Sequence, residues 1–396
     1  RTARSAADLA RPAAAAAARP DLPLIAVQHN PLHPPLPDRY PYRPENAEAI
    51  LASYRRAGVV LSLSGHYHAG LPLGEADGVL CYTAPAACEA PFRFAHVRLE
   101  GRGATVREIG LQLETAGLVD THCHTELAYC RQDVSAETDA ALSRLLGLGG
   151  LCLTEHAFQL YLPPDPAWSW RWQVEPRLLD EARRDGGGGR MAEYRRLAQR
   201  LRGEFVRVGL EVDLLEDGRW LLAEGDEQGW DLLVGAVHAL RGSARLPNQA
   251  EAEGLFMRDV ARLLRHPIQV LAHPFRYFRR AGLAVPTHLY GEVAALLAAH
   301  GVAAEINFHV NTPDPRFVEQ CLARGVKLAL GTDAHELAEV ADLAPHLRLL
   351  REVGAAPAAL EGLLYRPPAP LPCLEAEASP PAAPSAGAAG GRRPEP

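Results

Sequence analysis

Two pairs of side chains that can bind a metal ion stand two residues apart in the sequence. His122 and His124 follow one short apolar run, and Asp333 and His335 follow another. Because alternate side chains of a strand point the same way, both members of each pair can reach a single ion. Imidazole and carboxylate ligands together suit Zn, Fe, Mn or Ni. The spacing therefore predicts a metal site at the ends of two strands.

Further candidate ligands stand in or near other runs of the same region. Glu211, His238, His273 and His156 lie at the ends of such runs, and Cys130 offers a softer ligand. Together with the two pairs, they exceed the four ligands that a structural zinc site uses. More than one metal ion is therefore expected.

The elements that must position these residues are seven apolar runs of strand length. They cover 117–124, 150–156, 208–213, 232–238, 269–274, 303–309 and 328–335. Amphipathic segments between them predict helices at 190–202, 251–265, 288–299 and 314–324. Such alternation predicts a closed or nearly closed parallel barrel, whose strands all end at one face. Ligands far apart in the sequence would meet at that face.

The motifs resemble those of the PHP family of metal-dependent phosphoesterases, named for polymerase and histidinol phosphatase. They occur in the family's order as DTHCHT, TEH, GLEVD, GAVH, AHP and TDAH, between residue 118 and about residue 366. The resemblance implies a distorted (β/α)7 barrel with two or three divalent ions such as Zn, Mn or Fe. It implies one ion on His122, His124, Glu211 and Asp333, a second on Glu211, His238 and His273, and a third on Cys130, His156 and His335.

Two positions depart from the family's pattern. The position of Cys130 is commonly histidine in the histidinol phosphatase branch, and TEH (154–156) replaces the usual TDH. A thiolate at the third site would favour a softer ion such as zinc. The alternative for Cys130 is a small buried hydrophobic side chain that binds no metal.

The chemistry implied by the resemblance is hydrolysis of a small phosphomonoester similar to histidinol phosphate. Adjacent ions would lower the pKa of a bridging water and bind the phosphoryl oxygens, so that metal-bound hydroxide attacks in line. Arg276 and Arg241 follow two of the motifs and would bind phosphate through paired N–H donors, unless they are ordinary solvated arginines. His309 and Asn307 end a strand and would contact substrate or make a structural hydrogen bond.

Two other functions stay open at this point. The first is a PHP nuclease or phosphodiesterase, which a net charge of −7 and the lack of a basic stripe disfavour. The second is a non-catalytic module in which metal ions only stabilise the fold. Structural sites are usually single and four-coordinate, which fits poorly with nine candidate ligands.

A long insertion at 157–189 contains Trp168, Trp170 and Trp172 and the glycine run 186–189. One interpretation is an aromatic lid with a flexible end that closes over the site. The other is a loop that packs against the rim of the barrel.

The first 115 residues contain a second, smaller set of histidines. His29 ends one predicted strand, and His66 and His68 form a GHYH motif after another, with four strands and a helix near 45–57 expected. This set resembles the C-terminal half of calcineurin-like metallophosphoesterases and implies a partial α/β sandwich. The family's DxH, GD and GNH motifs are not found upstream, so the second site is incomplete. Either the chain lacks its true N-terminus, which we favour because it begins with Arg1, or the domain is a relic.

Composition bounds the remaining expectations. The chain has 396 residues, of which 47% are hydrophobic and 22% charged, and no apolar stretch long enough to cross a bilayer. Seven scattered cysteines without a CxxC favour a reducing, cytoplasmic compartment. We therefore expect domains at 1–115 and 116–367, a disordered tail at 368–396, a small phosphorylated substrate, and neither nucleic acid nor membrane as a partner. The oligomeric state is not predicted.

Overall fold

The computed structural model describes most of the chain. It covers residues 3–36, 43–89, 92–100, 103–110, 113–184 and 188–371. Most of the expected tail, residues 372–396, lies outside the described residues. Within the described ranges, no helix is both long and apolar enough to span a bilayer.

The first zone is a small α/β unit. Its elements are α1 (Ala6–Ala18), β1 (Leu24–Val27), α2 (Ala47–Ala57), β2 (Val59–Ser64), β3 (Leu71–Ala76), β4 (Val79–Thr83), β5 (Arg93–Glu100) and β6 (Gly103–Gly110). Four strands form a sheet in the order β1, β2, β4, β3, and β3 is antiparallel to β4. Strands β5 and β6 form a separate antiparallel hairpin.

Three elements of this zone were not foreseen: α1, β3 and β6. Helix α1 is rich in alanine and begins with a capping box, in which the Ser5 side chain accepts from the Asp8 backbone and the Asp8 carboxylate accepts from the Ser5 backbone. Strand β3 contains proline and glycine, which weaken the strand signal in the sequence.

The seven predicted strands of the second zone are all present. They are β7 (Val119–Cys123), β8 (Gly150–His156), β9 (Val206–Val212), β10 (Leu232–Gly235), β11 (Val270–Leu271), β12 (Ala303–Asn307) and β13 (Leu328–Gly331). Neighbours in the sequence are neighbours in the sheet, and every pair is parallel. A bridge between Cys123 and Ala334 joins the two outer strands, so the barrel is nearly closed. The predicted α/β fold class is confirmed.

Helices follow the strands and cover the outside of the barrel. They are α3 (Ala136–Leu145), α4 (Ala157–Tyr161), α5 (Pro164–Ser169), α6 (Arg177–Arg184), α7 (Gly188–Leu201), α8 (Gln249–Leu263), α9 (Arg276–Ala281), α10 (Tyr290–His300), α11 (Pro315–Leu322), α12 (Ala344–Glu352) and α13 (Leu360–Leu363). Three short 3-10 helices occur at Arg171–Gln173, Thr287–Leu289 and Pro357–Ala359. Side chains of Ser135, Asn248 and Asp314 cap the first turns of α3, α8 and α11.

The barrel core has two layers because alternate strand residues face opposite sides. On β8, Leu151 and Leu153 join the large apolar cluster between strands and helices. Cys152 instead joins a smaller interior cluster with Leu232 and Val234. The interior is thus filled by apolar side chains below the ends of the strands, which leaves those ends for polar residues.

Candidate metal centre

The strand ends bring eight of the nine candidate ligands into one buried cluster. His122 and His124 lie at the end of β7, His156 ends β8, Glu211 lies in β9, and the others follow β10, β11 and β13. All eight residues are at most 6% exposed. Cys130 lies beside His156 and is half-buried. The members of the cluster are His122, His124, His156, Glu211, His238, His273, Asp333 and His335.

One group in the cluster consists of His122, His124 and Asp333. Their ligand atoms lie within 4.8 Å of one another. The Nε2 atom of His124 is 2.9 Å from Oδ1 of Asp333, and Nε2 of His122 is 3.7 Å from the same oxygen. A single ion could therefore be held by these three side chains.

Glu211 stands among five imidazoles, of which His124 is the farthest, with its Nε2 3.9 Å from Oε2. Its Oε1 is 2.8 Å from Nε2 of His273 and 3.3 Å from Nε2 of His238. Its Oε2 is 2.5 Å from Nδ1 of His156 and 3.7 Å from Nε2 of His122. Ligand atoms of His156, Glu211 and His238 also lie within 4.8 Å of one another. This carboxylate can bridge two ions.

A third group consists of His124, His156 and His335, whose ligand atoms again lie within 4.8 Å of one another. The Sγ atom of Cys130 is 3.5 Å from Nε2 of His156 and also accepts a hydrogen bond from Gln159. Burial raises the pKa of the Cys130 thiol to about 12, so without an ion the side chain is a thiol.

Three buried atoms of the cluster have no hydrogen-bond partner among the described residues. They are Nε2 of His122, Nδ1 of His156 and Oε2 of Glu211. Both nitrogens approach the same Glu211 oxygen, without the geometry of a hydrogen bond. Polar atoms left unpaired in the interior cost free energy, and a divalent cation would satisfy all three. The residues present therefore fit a metal ion.

Arg276 lies inside the cluster, not at its mouth. It is 4% exposed, and its guanidinium donates to Oδ2 of Asp333 at 2.5 Å, to Nε2 of His273 at 2.6 Å and to Nε2 of His238 at 3.2 Å. The sequence predicts Arg276 as a phosphate-binding residue on a loop at the mouth of the site, outside the ligand set, whereas the structure places its guanidinium among the ligands. The acceptor atoms of Asp333, His273 and His238 thus surround the positive charge of the guanidinium. The same atoms could surround a metal cation, so this arrangement also fits a cation site.

Three buried carboxylates, to which the sequence analysis gave no role, hold the histidine rings. Glu305 lies 2.8 Å from Nδ1 of His122, Glu155 lies 3.1 Å from Nδ1 of His124, and Asp213 lies 3.0 Å from Nδ1 of His238. A carboxylate on the far nitrogen fixes the ring and makes the near nitrogen a better ligand. Glu155 and Asp213 stand in the TEH and GLEVD motifs, and Glu305 stands two residues before Asn307. For Glu155 and Asp213, their place beside predicted ligands was the available signal; Glu305 had no such neighbour.

Local backbone and packing make this arrangement possible. His273 and Asp333 have φ angles of +42° and +55°, in the left-handed region that residues other than glycine rarely adopt. Gly331 leaves room for Glu305 against His122, because a Cβ at this position would overlap the Glu305 carboxylate.

Burial and charge shift the pKa values of the cluster in different directions. For Glu211, burial raises the pKa, but nearby histidines, His238 foremost, outweigh it and hold the pKa well below its ordinary value. Burial lowers the pKa of His156 to about 4, with a further contribution from His124. Burial also lowers the pKa of His124, but Asp333 and Glu155 overcome this and raise it to about 9. Burial also lowers the pKa of His273 and His335, whereas Glu305 and other carboxylates outweigh burial and raise the pKa of His122. The Glu211 and Asp333 carboxylates are thus ionised and three imidazoles are neutral, as metal binding requires, while His122 and His124 would each release a proton to an incoming ion.

The other predicted contact residues differ in position. His309 borders the cluster: its ring stacks on His335 at 4.4 Å, and its Nδ1 is 2.7 Å from Glu339. Asn307 donates from Nδ2 to both Glu305 and Asp333 at 3.1 Å. His309, His335 and Glu339 form a further group with ligand atoms within 4.8 Å.

Arg241 is not brought into the cluster. Its guanidinium is 2.6 Å from Glu251 and 3.6 Å from Glu216, and half of the side chain is exposed. These two exposed carboxylates neutralise Arg241 at the surface, so its position agrees with the solvated alternative.

A pocket opens above the cluster. It is lined by Cys130, His156, Phe158, Trp168, Trp170, His238, Arg276, Arg280, His309, Val310 and His335. The insertion packs against the rim: Trp172 is fully buried, and Gln173 bonds to Ala239 and Gly242 in the loop after β10. Trp168, by contrast, is 41% exposed. In this structure the described part of the insertion packs against the rim and forms one wall of the pocket.

The histidines of the first zone form a looser arrangement. The rings of His29 and His66 are 4.3 Å apart, but His68 is turned to Glu89, with its Nδ1 2.6 Å from a carboxylate oxygen. The side chains of His68 and Glu89 are both more than half exposed. Among the described residues, these histidines are not part of any group whose ligand atoms lie within 4.8 Å of one another.

Comparison with known proteins points to a phosphatase. No family model matches the chain. The chain is similar to a probable histidinol-phosphatase of Deinococcus radiodurans, with 28% identity over 265 residues, which cover 60% of this chain and 94% of the relative. The similarity to a phosphatase and the buried His, Asp and Glu groups together support a phosphoesterase that could bind metal.

Proposed function

We propose that the chain is a PHP-type, metal-dependent phosphoesterase that hydrolyses a small phosphomonoester. The observation that carries this proposal is the set of three unpaired buried atoms around Oε2 of Glu211. Similarity to a probable histidinol-phosphatase supports the reaction class and makes histidinol phosphate a natural first substrate to test.

The proposed ligands divide among two or three divalent ions (Zn, Mn or Fe). His122, His124 and Asp333 would hold one ion, and Glu211 would be shared with a second on His238 and His273. His156 and His335 would hold the third. Cys130 is retained as a candidate for this third ion.

Bound divalent ions would supply the positive charge that activates water and stabilises the phosphoryl oxygens. The chain's own residues prepare the site: Glu305, Glu155 and Asp213 fix three imidazole rings by hydrogen bonds to Nδ1. Arg276 provides two N–H donors inside the cluster, and with its partners rearranged it can donate to a phosphoryl oxygen. Trp168 and Trp170 line one wall of the pocket above the cluster and would restrict the size of the substrates that enter it.

We further propose domains at 1–115 and 116–367, with the activity in the second. The first is a metallophosphoesterase remnant with an incomplete site at His29, His66 and His68. This division is supported by the separate sheets and separate apolar cores of the two zones. A nucleic-acid substrate is not proposed because the net charge is −7.

The experiment compares monoester and diester hydrolysis by the metal-loaded chain. We expect hydrolysis of p-nitrophenyl phosphate or histidinol phosphate, little hydrolysis of bis-p-nitrophenyl phosphate, and loss of both activities in His122→Ala and Asp333→Asn. His300→Ala, at an exposed histidine of α10, is the matched control and should behave as the unmodified chain. Hydrolysis that survives both cluster substitutions, or none by a chain that holds its metal, would refute the proposal.

A further inference from the structure

Arg280 lies at the mouth of the pocket, one helical turn beyond Arg276. Both arginines belong to α9 (Arg276–Ala281), and both line the pocket. Residues four apart lie on the same face of a helix, separated by roughly 6 Å along its axis. Arg276 is buried and Arg280 is exposed, so the face runs from the cluster outward to solvent.

The Arg280 guanidinium has no carboxylate partner in the part of the chain that the structure describes. Other arginines near the barrel rim do: Arg241 pairs with Glu251 and Glu216, and Arg316 pairs with Asp314. The carboxylates whose negative charge raises the pKa of Arg280 most are those of Asp333 and Glu211, which belong to the cluster below it. A free guanidinium at a pocket mouth is available to a ligand.

The lining of the pocket is cationic and aromatic. Among the side chains that line it, Arg276 and Arg280 carry positive charge and none carries a carboxylate. Glu339 does not line the pocket, and its carboxylate accepts a hydrogen bond from the ring of His309, which does. Although the residue as a whole is exposed, its surroundings partly shield the Arg280 guanidinium from water, and this desolvation, followed by the neighbouring Arg276, lowers the pKa of Arg280; a bound anion would oppose both effects. An ammonium group in this pocket would find no counter-charge on its walls.

We propose that Arg280 is a specificity-determining residue that binds a second oxyanion of the substrate, beyond the phosphoryl group that reacts. This inference rests on the proposed phosphoesterase function, since it assumes that the reacting phosphoryl group lies at the metal cluster beside Arg276. The substrate class is then a phosphomonoester that carries an additional carboxylate or phosphate and has no cationic group near it. Histidinol phosphate, which carries an ammonium group and no second oxyanion, should then be a poorer substrate than such a diacid. Guanidinium binds either oxyanion through paired N–H donors.

The position of Arg280 separates this role from binding of the reacting phosphate. Arg276 already reaches the cluster through Asp333 and His273, whereas Arg280 lies about one turn farther out. An acid two or three bonds beyond the reacting phosphoryl group spans such a distance. The wall formed by Trp168 and Trp170 holds the substrate in the same narrow pocket.

The test measures binding of four non-hydrolysable phosphonates of equal length to the metal-loaded chain by titration calorimetry. Propylphosphonate has no second charge, 3-phosphonopropionate has a carboxylate, propane-1,3-diphosphonate has a second phosphonate, and 3-aminopropylphosphonate has an ammonium group. We expect at least one diacid to bind about 10-fold more tightly than propylphosphonate, as one charged hydrogen-bonded pair allows, and the amine to bind more weakly. Whichever diacid binds more tightly identifies the source of the second oxyanion.

The decisive comparison is with Arg280→Gln. In this variant, the advantage of the diacid over propylphosphonate should fall to about twofold or less. Arg279→Gln removes the neighbouring charge, which does not line this pocket, and should keep the full advantage. An unchanged advantage in Arg280→Gln, or equal weakening of all four ligands, overturns the inference. Metal content measured on each variant separates this outcome from loss of the ions.

Failure of the proposed function would be recognised separately. If the metal-loaded chain hydrolyses no phosphomonoester, the proposed function is wrong whatever the phosphonate affinities are. If it hydrolyses monoesters but shows no preference that depends on Arg280, only the specificity inference is wrong.

Discussion

Both zones of this molecule carry a pair of histidines two residues apart after a strand, but the surroundings of the two pairs differ. In the barrel, His122 and His124 are fully buried, and each has a buried carboxylate on its far nitrogen. In the first zone, the side chain of His68 is 60% exposed and faces Glu89, itself 54% exposed. The spacing of histidines is therefore not enough to make a metal site. Burial makes the difference, because the carboxylates that hold the rings of His122 and His124 are buried, whereas the one beside His68 is exposed.

The largest expected effect is that of Glu211→Gln. The amide lacks the negative charge that two ions would share, so the metal content should fall by about one ion per chain or more, and monoester hydrolysis should be lost. Elemental analysis by mass spectrometry checks this. The matched change in the first zone, Glu89→Gln, should leave metal content unchanged. Equal losses in the two variants would break the comparison between the zones.

The pH dependence of metal affinity should be the next largest effect. The pKa of His124 is about 9 in the metal-free chain, so an ion must displace a proton below that pH. Affinity should rise by about tenfold or more per pH unit between about pH 7 and pH 9, because the pKa of His122 is also raised by nearby carboxylates and that ring can release a second proton. His156, with a pKa of about 4, adds no dependence in this range.

Calorimetric titration of the metal-free chain with Mn²⁺ under anaerobic conditions measures this dependence. Glu155→Gln removes one cause of the raised pKa and should move the rise in affinity to lower pH. A flat affinity between about pH 7 and pH 9 would contradict the assignment of His124 as a ligand.

Removing the carboxylates behind the rings should weaken metal binding without abolishing it. Glu305→Gln and Asp213→Asn should each lower metal affinity about 10- to 100-fold, because the rings of His122 and His238 lose their orientation. Asp217→Asn is the matched control, since Asp217 is near Asp213 in the chain but pairs with Arg219 at the surface. If all three variants bind metal alike, ring orientation is not what separates the two zones.

The smallest effect concerns a buried acid outside the centre. Neither carboxylate oxygen of Asp139 has a hydrogen-bond partner, and burial raises its pKa to about 7. The folded chain then binds more protons than the unfolded chain between about pH 4 and pH 7, so stability falls as pH rises through this window. Asp139→Asn should raise the Tm by a few degrees at about pH 8 and much less at about pH 4.

Thermal unfolding at the two pH values checks this prediction, with exposed Glu137→Gln on the same helix as the control. Destabilisation by Asp139→Asn at the higher pH would show that this carboxylate has a stabilising partner. The expected result would show that a buried acid without a histidine or cation beside it only costs stability. It would thus separate Asp139 from the buried carboxylates of the metal centre, which have such partners.

Much of the barrel was predictable because its signals are local. Each strand is a short apolar run that ends in a polar motif, and parallel strands with helices between them leave few other topologies. This places His122, Glu211 and Asp333 at one face although they are far apart in the chain. The assignment of each ligand to an ion stays a prediction.

Other features depended on contacts between distant residues and had no local signal. Glu305 lies within the apolar run of β12, and only its contact with His122, 183 positions away, reveals its role. Arg276 and Arg241 both follow motif histidines by three residues, yet one turns inward to Asp333 and the other outward to Glu251. The helix α1 was missed because an alanine-rich segment has no amphipathic pattern strong enough to predict its packing.

The most direct test of the central claim is titration of the metal-free chain with a divalent ion while monoester hydrolysis is measured. The account predicts that activity appears as ions bind, reaches its maximum at two or more per chain, and is absent in Glu211→Gln at any metal concentration that the chain tolerates. Saturation at fewer than two ions per chain, or full occupancy of the centre without any hydrolysis, would contradict it.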